Sequence, residues 1–202
     1  MSKFGTAIIL AGGKSSRMGF DKQFLKIKER RVMDIVISKL KKEFNEIIVV
    51  TNKPEYYIGF GDKIVSDIIK EMGPLSGLHV GLKNSSSKYA YFIACDMPNI
   101  SIEYIRYMKK KMQEREQEPQ ACVTKFGNWI EAFNSFYSKD LYYGIEKHLQ
   151  ENKRSVNSFL QKSDTLYIEE DDARRFSPKW EMFINLNTRD ELDDYIRNYS
   201  NI

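Results

Sequence analysis

The 202-residue sequence predicts an α/β fold, a doubly wound and mostly parallel sheet with helices on both faces. Three observations predict it. Strand-like and helix-like segments alternate through roughly the first 100 residues. The strand segments are continuous apolar runs, as in Ile47-Ile48-Val49-Val50, which suits strands covered on both faces. The first of them runs straight into a glycine-rich turn ahead of the first helix.

Thr6-Ala7-Ile8-Ile9-Leu10 reads as a buried first strand, and the glycine turn follows it. Val32, Ile35, Val36 and Leu40 lie at helical spacing and predict a helix over 32–43. The strand at 47–50 comes next, then a turn with Pro54 and a short helix near Tyr56. Lys63-Ile64-Val65-Ser66-Asp67 is a shorter strand ending in a carboxylate. Gly73-Pro74 opens a helix that reaches about Asn84. Tyr89-Ala90-Tyr91-Phe92-Ile93-Ala94 is the fourth strand and ends at Cys95-Asp96-Met97-Pro98. A polar helix is expected over 101–116, broken before Pro119. Strands over 120–124 and within 127–137, helices over 138–149 and 155–161, and a short strand at 166–169 follow. Glu169-Glu170-Asp171-Asp172 beside Arg174-Arg175 reads as a solvated loop. Phe183 to Asn187 is an extended segment, and Thr188 caps a last helix over 189–198.

Length fits a single domain over 1–202, with a nucleotide-handling half at about 1–100 and a second half at about 101–202. Charged residues make up 30% of the chain, and no apolar run approaches the ~20 residues of a membrane span. Met1-Ser2-Lys3-Phe4-Gly5 leads directly into the first strand without room for a signal peptide, so a cytoplasmic location is expected. The net charge of +4 suits phosphorylated ligands and plain solubility equally. Basic residues are scattered among acidic ones, with no basic and aromatic stripe for nucleic acid. Cys95 and Cys122 read as buried free thiols.

Residues 10–22, Leu10-Ala11-Gly12-Gly13-Lys14-Ser15-Ser16-Arg17-Met18-Gly19-Phe20-Asp21-Lys22, are suited to triphosphate. Glycines let backbone N–H groups approach phosphate oxygens, while Arg17 and Lys22 supply positive charge. The turn is no P-loop, because Ile8 stands where that frame needs its first glycine. Nor is it a dinucleotide loop, since Gly12 and Gly13 are adjacent. Asn52, Asp67 and Asp96 fall at strand ends on the side of the glycine turn, where ligands of parallel sheets bind. Asp96 is the candidate Mg²⁺ ligand, its other reading being a cap on the helix after Pro98. Asp67 reads as a base or ribose contact or a helix cap, and Asn52 is open in the same way. Lys14 points to phosphate or to solvent. Asn185 and Asn187 occupy alternate positions of an extended stretch and so share a face.

The string Leu-Ala-Gly-Gly, Arg-Met-Gly, Asp-Lys resembles the signature of nucleotidyltransferases of the sugar-nucleotide type. More closely, it resembles the molybdenum cofactor guanylyltransferase family, which joins GMP to molybdopterin. The likeness continues through Val50-Thr51-Asn52, Val65-Ser66-Asp67, Gly73-Pro74-Leu75-Ser76-Gly77, Cys95-Asp96-Met97-Pro98 and Asn185-Leu186-Asn187-Thr188. It implies a Rossmann-like sheet of the nucleotide-diphospho-sugar transferase type and transfer of GMP from GTP to molybdopterin with release of pyrophosphate. It implies nucleotide contacts at Leu10, Ala11, Gly12, Gly13, Lys22, Asn52, Asp67 and Asp96, and catalytic roles for Arg17, Lys22 and Asp96 with Mg²⁺ on Asp96. It places the acceptor on Arg154, Asn185 and Asn187, whose other readings are a surface loop, a strand edge and a helix cap. Transient contact with cofactor-synthesis or acceptor proteins goes with that role, and neither nucleic acid nor membrane does. One departure falls in the acceptor half: Glu131-Ala132 stands where the family often has His-Pro. A cytidylyltransferase acting on molybdopterin or a small sugar-alcohol phosphate is the alternative, favoured by Lys22-Gln23-Phe24-Leu25 but opposed by Asp21 in place of proline. A non-catalytic nucleotide-binding protein is a more distant one.

Overall fold

A computed structural model describes residues 2–12, 25–69 and 72–199. In chain order the elements are β1 (Thr6–Leu10), a small hairpin of β2 (Lys26–Ile27) and β3 (Arg30–Arg31), α1 (Val32–Leu40), β4 (Glu46–Val50) and β5 (Lys63–Val65). Then come α2 (Pro74–Asn84), β6 (Tyr89–Ala94), α3 (Ile102–Gln113), β7 (Ala121–Phe126), β8 (Trp129–Ser138) and α4 (Leu141–Gln150). The chain finishes with α5 (Val156–Leu160), β9 (Thr165–Ile168), α6 (Glu170–Arg174) and α7 (Arg189–Tyr199).

Seven strands form one sheet in the order β5-β4-β1-β6-β8-β7-β9. β5, β4, β1 and β6 are mutually parallel, and β9 is parallel to β7. Only β8 runs the other way, antiparallel to both β6 and β7. The mostly parallel, doubly wound sheet is therefore present as expected. Alternate residues of each strand face opposite layers. Ala7, Ile9, Ile47, Val49, Tyr91 and Ile93 pack against α1, α3 and α7. Ile8, Ile48, Val50, Ala90 and Phe92 pack against α2, α4 and α5. This two-sided burial explains why the strands read as unbroken apolar runs.

Gly77 and Gly81 let α2 lie close over β1. A Cβ added at Gly81 would come within 2.6 Å of Ile8 Cγ2. A Cβ at Gly77, the second glycine of the Gly-Pro-Leu-Ser-Gly segment, would likewise run into Leu10 Cδ1, so packing of α2 on β1 calls for this glycine. Both cysteines are buried free thiols. None of the described helices is long and apolar enough to cross a membrane.

Two segments differ from expectation. The acidic run is no loop: Glu170–Arg174 is a helical turn that buries Ala173 and pairs Arg174 Nε with Glu170 Oε1 at 2.7 Å. Its three acidic residues occupy the first turn, where they complement the positive end of the helix. The segment expected to be extended over 183–187 starts one residue late: Phe183 closes a 3-10 turn, Glu181–Phe183, and the chain extends from Ile184.

At the amino edge of the sheet Glu46 organises a polar knot. Its carboxylate accepts hydrogen bonds from Thr6 Oγ1 at 2.6 Å, Ser86 N at 2.9 Å and Lys63 Nζ at 2.7 Å. Burial acts against the charge, but the hydrogen bonds from Lys63, Thr6 and Ser86 outweigh it and hold the carboxyl at about 2. A lowered folded pKa stabilises the fold above the unfolded value and loses that contribution as pH falls through the window. Urea midpoints should therefore decline between pH 4.5 and 2, part of the loss tracing to Glu46. Glu46→Gln should flatten that part of the profile; an unchanged acid limb in the variant counts against the assignment.

Candidate nucleotide and acceptor site

The ladder continues past the strand ends and fixes where the loops depart. Ala11 N donates to Val50 O at 2.8 Å, Cys95 N to Leu10 O at 3.0 Å and Thr51 N to Val65 O at 2.9 Å. Four parallel strands thus end on one line, and Ala11, Asn52, Asp67 and Asp96 leave the sheet at this carboxyl edge. Ala11 is buried and Gly12 exposed. Among the described residues, a Cβ at Gly12 would meet no atom within 4 Å. Gly13, Lys14, Arg17, Asp21 and Lys22 lie outside the described residues.

Asn52 and Asp67 bind one another reciprocally. Asn52 Nδ2 donates to Asp67 Oδ2 at 3.0 Å, and Asp67 N donates to Asn52 Oδ1 at 3.2 Å. Burial raises the Asp67 carboxyl above the usual range, opposed by the Asn52 amide. Asp67 Oδ1 is buried with no hydrogen-bond donor among the described residues. The nearby Ser76 hydroxyl gives its one proton to the Ile69 carbonyl. A buried acceptor oxygen of this kind suits an N–H or O–H donor of a bound base or ribose. Asp67 caps no helix: the residue ahead of α2 is Gly73, in the left-handed region at φ 70°.

Asp96 follows β6 and is only 4% exposed. It does not cap the next helix either, because Ser101 does so, its Oγ accepting from Tyr104 N at 3.1 Å. Lys39 of α1 steadies the turn by donating to the Pro98 carbonyl at 3.0 Å. Among the described residues no three His, Cys, Asp or Glu side chains converge as an ion cage. A single strand-end carboxylate nevertheless fits Mg²⁺, which commonly takes one or two protein carboxylates and completes its shell with substrate phosphates and water.

A strap of residues 180–187 crosses this edge. Leu186 N donates to the backbone carbonyl of Asp96 at 3.0 Å. Asn99 Nδ2 donates to Glu181 O at 3.1 Å, and Tyr195 OH to Asn99 Oδ1 at 2.7 Å. On the β8 side, Asn134 Nδ2 donates to Met182 O. Asn185 and Asn187, both half-buried, therefore lie beside the Asp96 turn. Asn185 Nδ2 donates to Phe183 O and Asn187 Nδ2 to Asn185 O, each at 3.5 Å within the strap. Thr188 and Glu191 form a reciprocal cap for α7, with Glu191 N to Thr188 Oγ1 at 3.1 Å and Thr188 N to Glu191 Oε2 at 3.0 Å. Arg154 is exposed, and its guanidinium reaches Asn152 Oδ1 at 3.3 Å; its contacts stay local.

Glu131 and Trp180 join the same edge without a sequence signal for their pairing. Trp180 Nε1 donates to Glu131 Oε1 at 3.4 Å. Burial raises the Glu131 carboxyl, the indole hydrogen bond opposing it. Trp180 sits in the left-handed region at φ 66°, between Phe126 and Phe183 with ring centroids 5.0 and 4.6 Å away.

A mostly parallel, doubly wound sheet with an amide–carboxylate pair and a buried carboxylate at its carboxyl edge is the architecture of nucleotide-binding α/β domains. Comparison with known proteins narrows this. Residues 7–166 match the model of the MobA-like NTP transferase domain. The probable molybdenum cofactor guanylyltransferase of Peptoclostridium acidaminophilum is 51% identical over 195 residues, 95% of this chain and 88% of that protein. The molybdenum cofactor guanylyltransferase of Syntrophotalea carbinolica is 50% identical, over 96% of this chain and 92% of its own. The crystal structure of molybdopterin-guanine dinucleotide biosynthesis protein A from Archaeoglobus fulgidus shares the fold, with a TM-score of 0.83 at 19% identity, covering 98% of this chain and all of that one. The chain belongs to the MobA-like nucleotidyltransferases, in the molybdenum cofactor guanylyltransferase family.

Proposed function

We propose that this enzyme transfers GMP from GTP to the terminal phosphate of molybdopterin and releases pyrophosphate. The single observation that carries the two-substrate reading is the backbone bond from Leu186 to Asp96. It joins the nucleotide edge, about residues 1–100, to the acceptor strap in the second half. Identity of 50–51% across nearly the whole chain supports the choice of substrates.

The acceptor phosphate is already largely ionised at pH 7, with a second pKa near ~6, so the attack on the α-phosphorus needs no general base. One P–O bond forms to the acceptor and the bond to pyrophosphate breaks. The chain then acts by positioning and by neutralising charge. Asn52 and Asp67 orient the nucleoside, Gly12 and Gly13 admit the phosphates, and Arg17 and Lys22 balance the pyrophosphate. Asn185, Asn187 and Arg154 hold the acceptor. Asp96 would hold Mg²⁺, which supplies further positive charge to the phosphate oxygens when bound. The reading places the reaction in the cytoplasm, where both thiols remain reduced.

Pyrophosphate release in the presence of molybdopterin and Mg²⁺, measured with GTP, CTP, UTP and ATP in turn, tests this. GTP should turn over at least ~10-fold faster than CTP, equivalent to the ~1.4 kcal/mol that one recognition hydrogen bond supplies. Faster turnover with CTP would replace the guanylyl reading by the cytidylyl one.

A further inference from the structure

We propose that Glu131 is the specificity residue for the pterin ring of the acceptor, its carboxylate receiving the paired N–H donors of the ring's 2-amino-4-oxo edge, with Trp180 as its positioning residue. The inference rests on the functional reading above. It concerns a site that none of the strand-end residues supplies.

The local chain geometry presents this carboxylate. Between the pairs Cys122↔Phe136 and Thr124↔Glu131, one residue of β7, Val123, faces four of β8, residues 132–135. The excess residues form a bulge that is bonded internally. Ser135 Oγ donates to Glu131 O at 2.8 Å, and Tyr137 OH to Ala132 O at 2.7 Å. Bulges re-aim side chains, commonly beside active sites. Here the bulge ends at the edge where β6 delivers Asp96, because β8 runs antiparallel to β6 from Tyr89↔Ser138 to Phe92↔Ser135. The strap then links the two places, hydrogen-bonded to Asn134 in the bulge at Met182 and to Asp96 at Leu186. A ligand lying along the strap would have its phosphate near Asp96 and its far end near Glu131.

The chemistry of Glu131 asks for donors. The residue is half-buried, and burial raises its carboxyl. Among the described residues its carboxylate has one hydrogen bond, from the Trp180 indole to Oε1, and no cation within ion-pair distance. A half-buried carboxylate with a single neutral donor keeps acceptor capacity for the N–H groups of a ligand. A pterin offers N3–H and the 2-amino group side by side, the spacing that lets a carboxylate accept two parallel hydrogen bonds, as it does from a guanidinium. Trp180 fixes the carboxylate and is itself held by Phe126, Phe183 and the Arg174 guanidinium 5.0 Å above its ring.

Two measurements test this with wild type, Glu131→Gln, Glu131→Asp and Trp180→Phe. Steady-state transfer gives KM for molybdopterin and for GTP, and tryptophan fluorescence follows titration with 6-hydroxymethylpterin. Glu131→Gln keeps the shape but loses the paired acceptors, so molybdopterin KM should rise about 30-fold with GTP KM unchanged. Glu131→Asp should recover part of the loss. Trp180→Phe should raise molybdopterin KM about 5-fold, the equivalent of one neutral hydrogen bond. Unchanged molybdopterin KM in Glu131→Gln overturns the inference and leaves the functional reading standing. If wild type transfers no nucleotide, that reading fails, and the pterin titration decides alone. Binding that Glu131→Gln weakens supports the site; equal binding, or none in wild type, overturns it.

Discussion

Asp96→Asn should lower nucleotidyl transfer by ~100-fold or more, about 3 kcal/mol of transition-state stabilisation, with the fold intact. The expectation comes from position. Asp96 is a buried carboxylate at the end of a central strand, and neither of its neighbouring helices uses it as a cap. Its backbone carbonyl anchors the strap through Leu186, and the substitution leaves that bond in place. The amide has the same size and removes only the charge. If Asp96 holds a divalent cation, kcat should fall far more than GTP affinity, and raising Mg²⁺ should restore part of the rate. Circular dichroism and a melting temperature near that of wild type would show that the chemistry, not the fold, was lost. Wild-type kcat in Asp96→Asn would remove Asp96 from the reaction.

The strand ends were readable from sequence for a physical reason. A parallel strand buried on both faces is an unbroken apolar run, so the first polar residue after it marks the carboxyl edge. Asn52, Asp67 and Asp96 each come second after their strand, behind Thr51, Ser66 and Cys95, and all three leave the sheet at that edge. Thr188 was legible for a similar local reason, since a hydroxyl three residues before a glutamate is a helix-start signal. What depends on long-range pairing was not legible. The direction of β8, the bulge between β7 and β8, and the meeting of Glu131 with Trp180 across 49 positions follow from tertiary register. The Glu131-Ala132 pair stood out in sequence only as a departure from the family pattern. The acidic run at 169–172 was misread because helix-end electrostatics turned a charge cluster into a first turn.

Asn134→Ala should destabilise the fold by about 3 kcal/mol, a fall in melting temperature of roughly 6–12 °C for a chain of this size. Asn134 is 1% exposed and adopts a left-handed conformation at φ 52°. Both ends of its amide are engaged: Tyr91 OH donates to Oδ1 at 2.7 Å, and Nδ2 donates to the Met182 carbonyl. Alanine leaves the wholly buried Tyr91 hydroxyl and a strap carbonyl without partners, at about 1 kcal/mol or more each. Alanine is also tolerated less well than asparagine in the left-handed region, which adds up to about 1 kcal/mol. Asn134→Gly separates the two causes, because glycine takes positive φ freely but makes no side-chain hydrogen bond. It should melt between wild type and Asn134→Ala. The strap is the second readout. Loss of the Met182 bond frees one end of the segment that carries Asn185 and Asn187, so molybdopterin KM should rise in both variants while GTP KM stays put. An Asn134→Ala enzyme that melts within about 2 °C of wild type would show that the bulge is held by its other bonds, from Ser135 and Tyr137, and that the amide bridge contributes little.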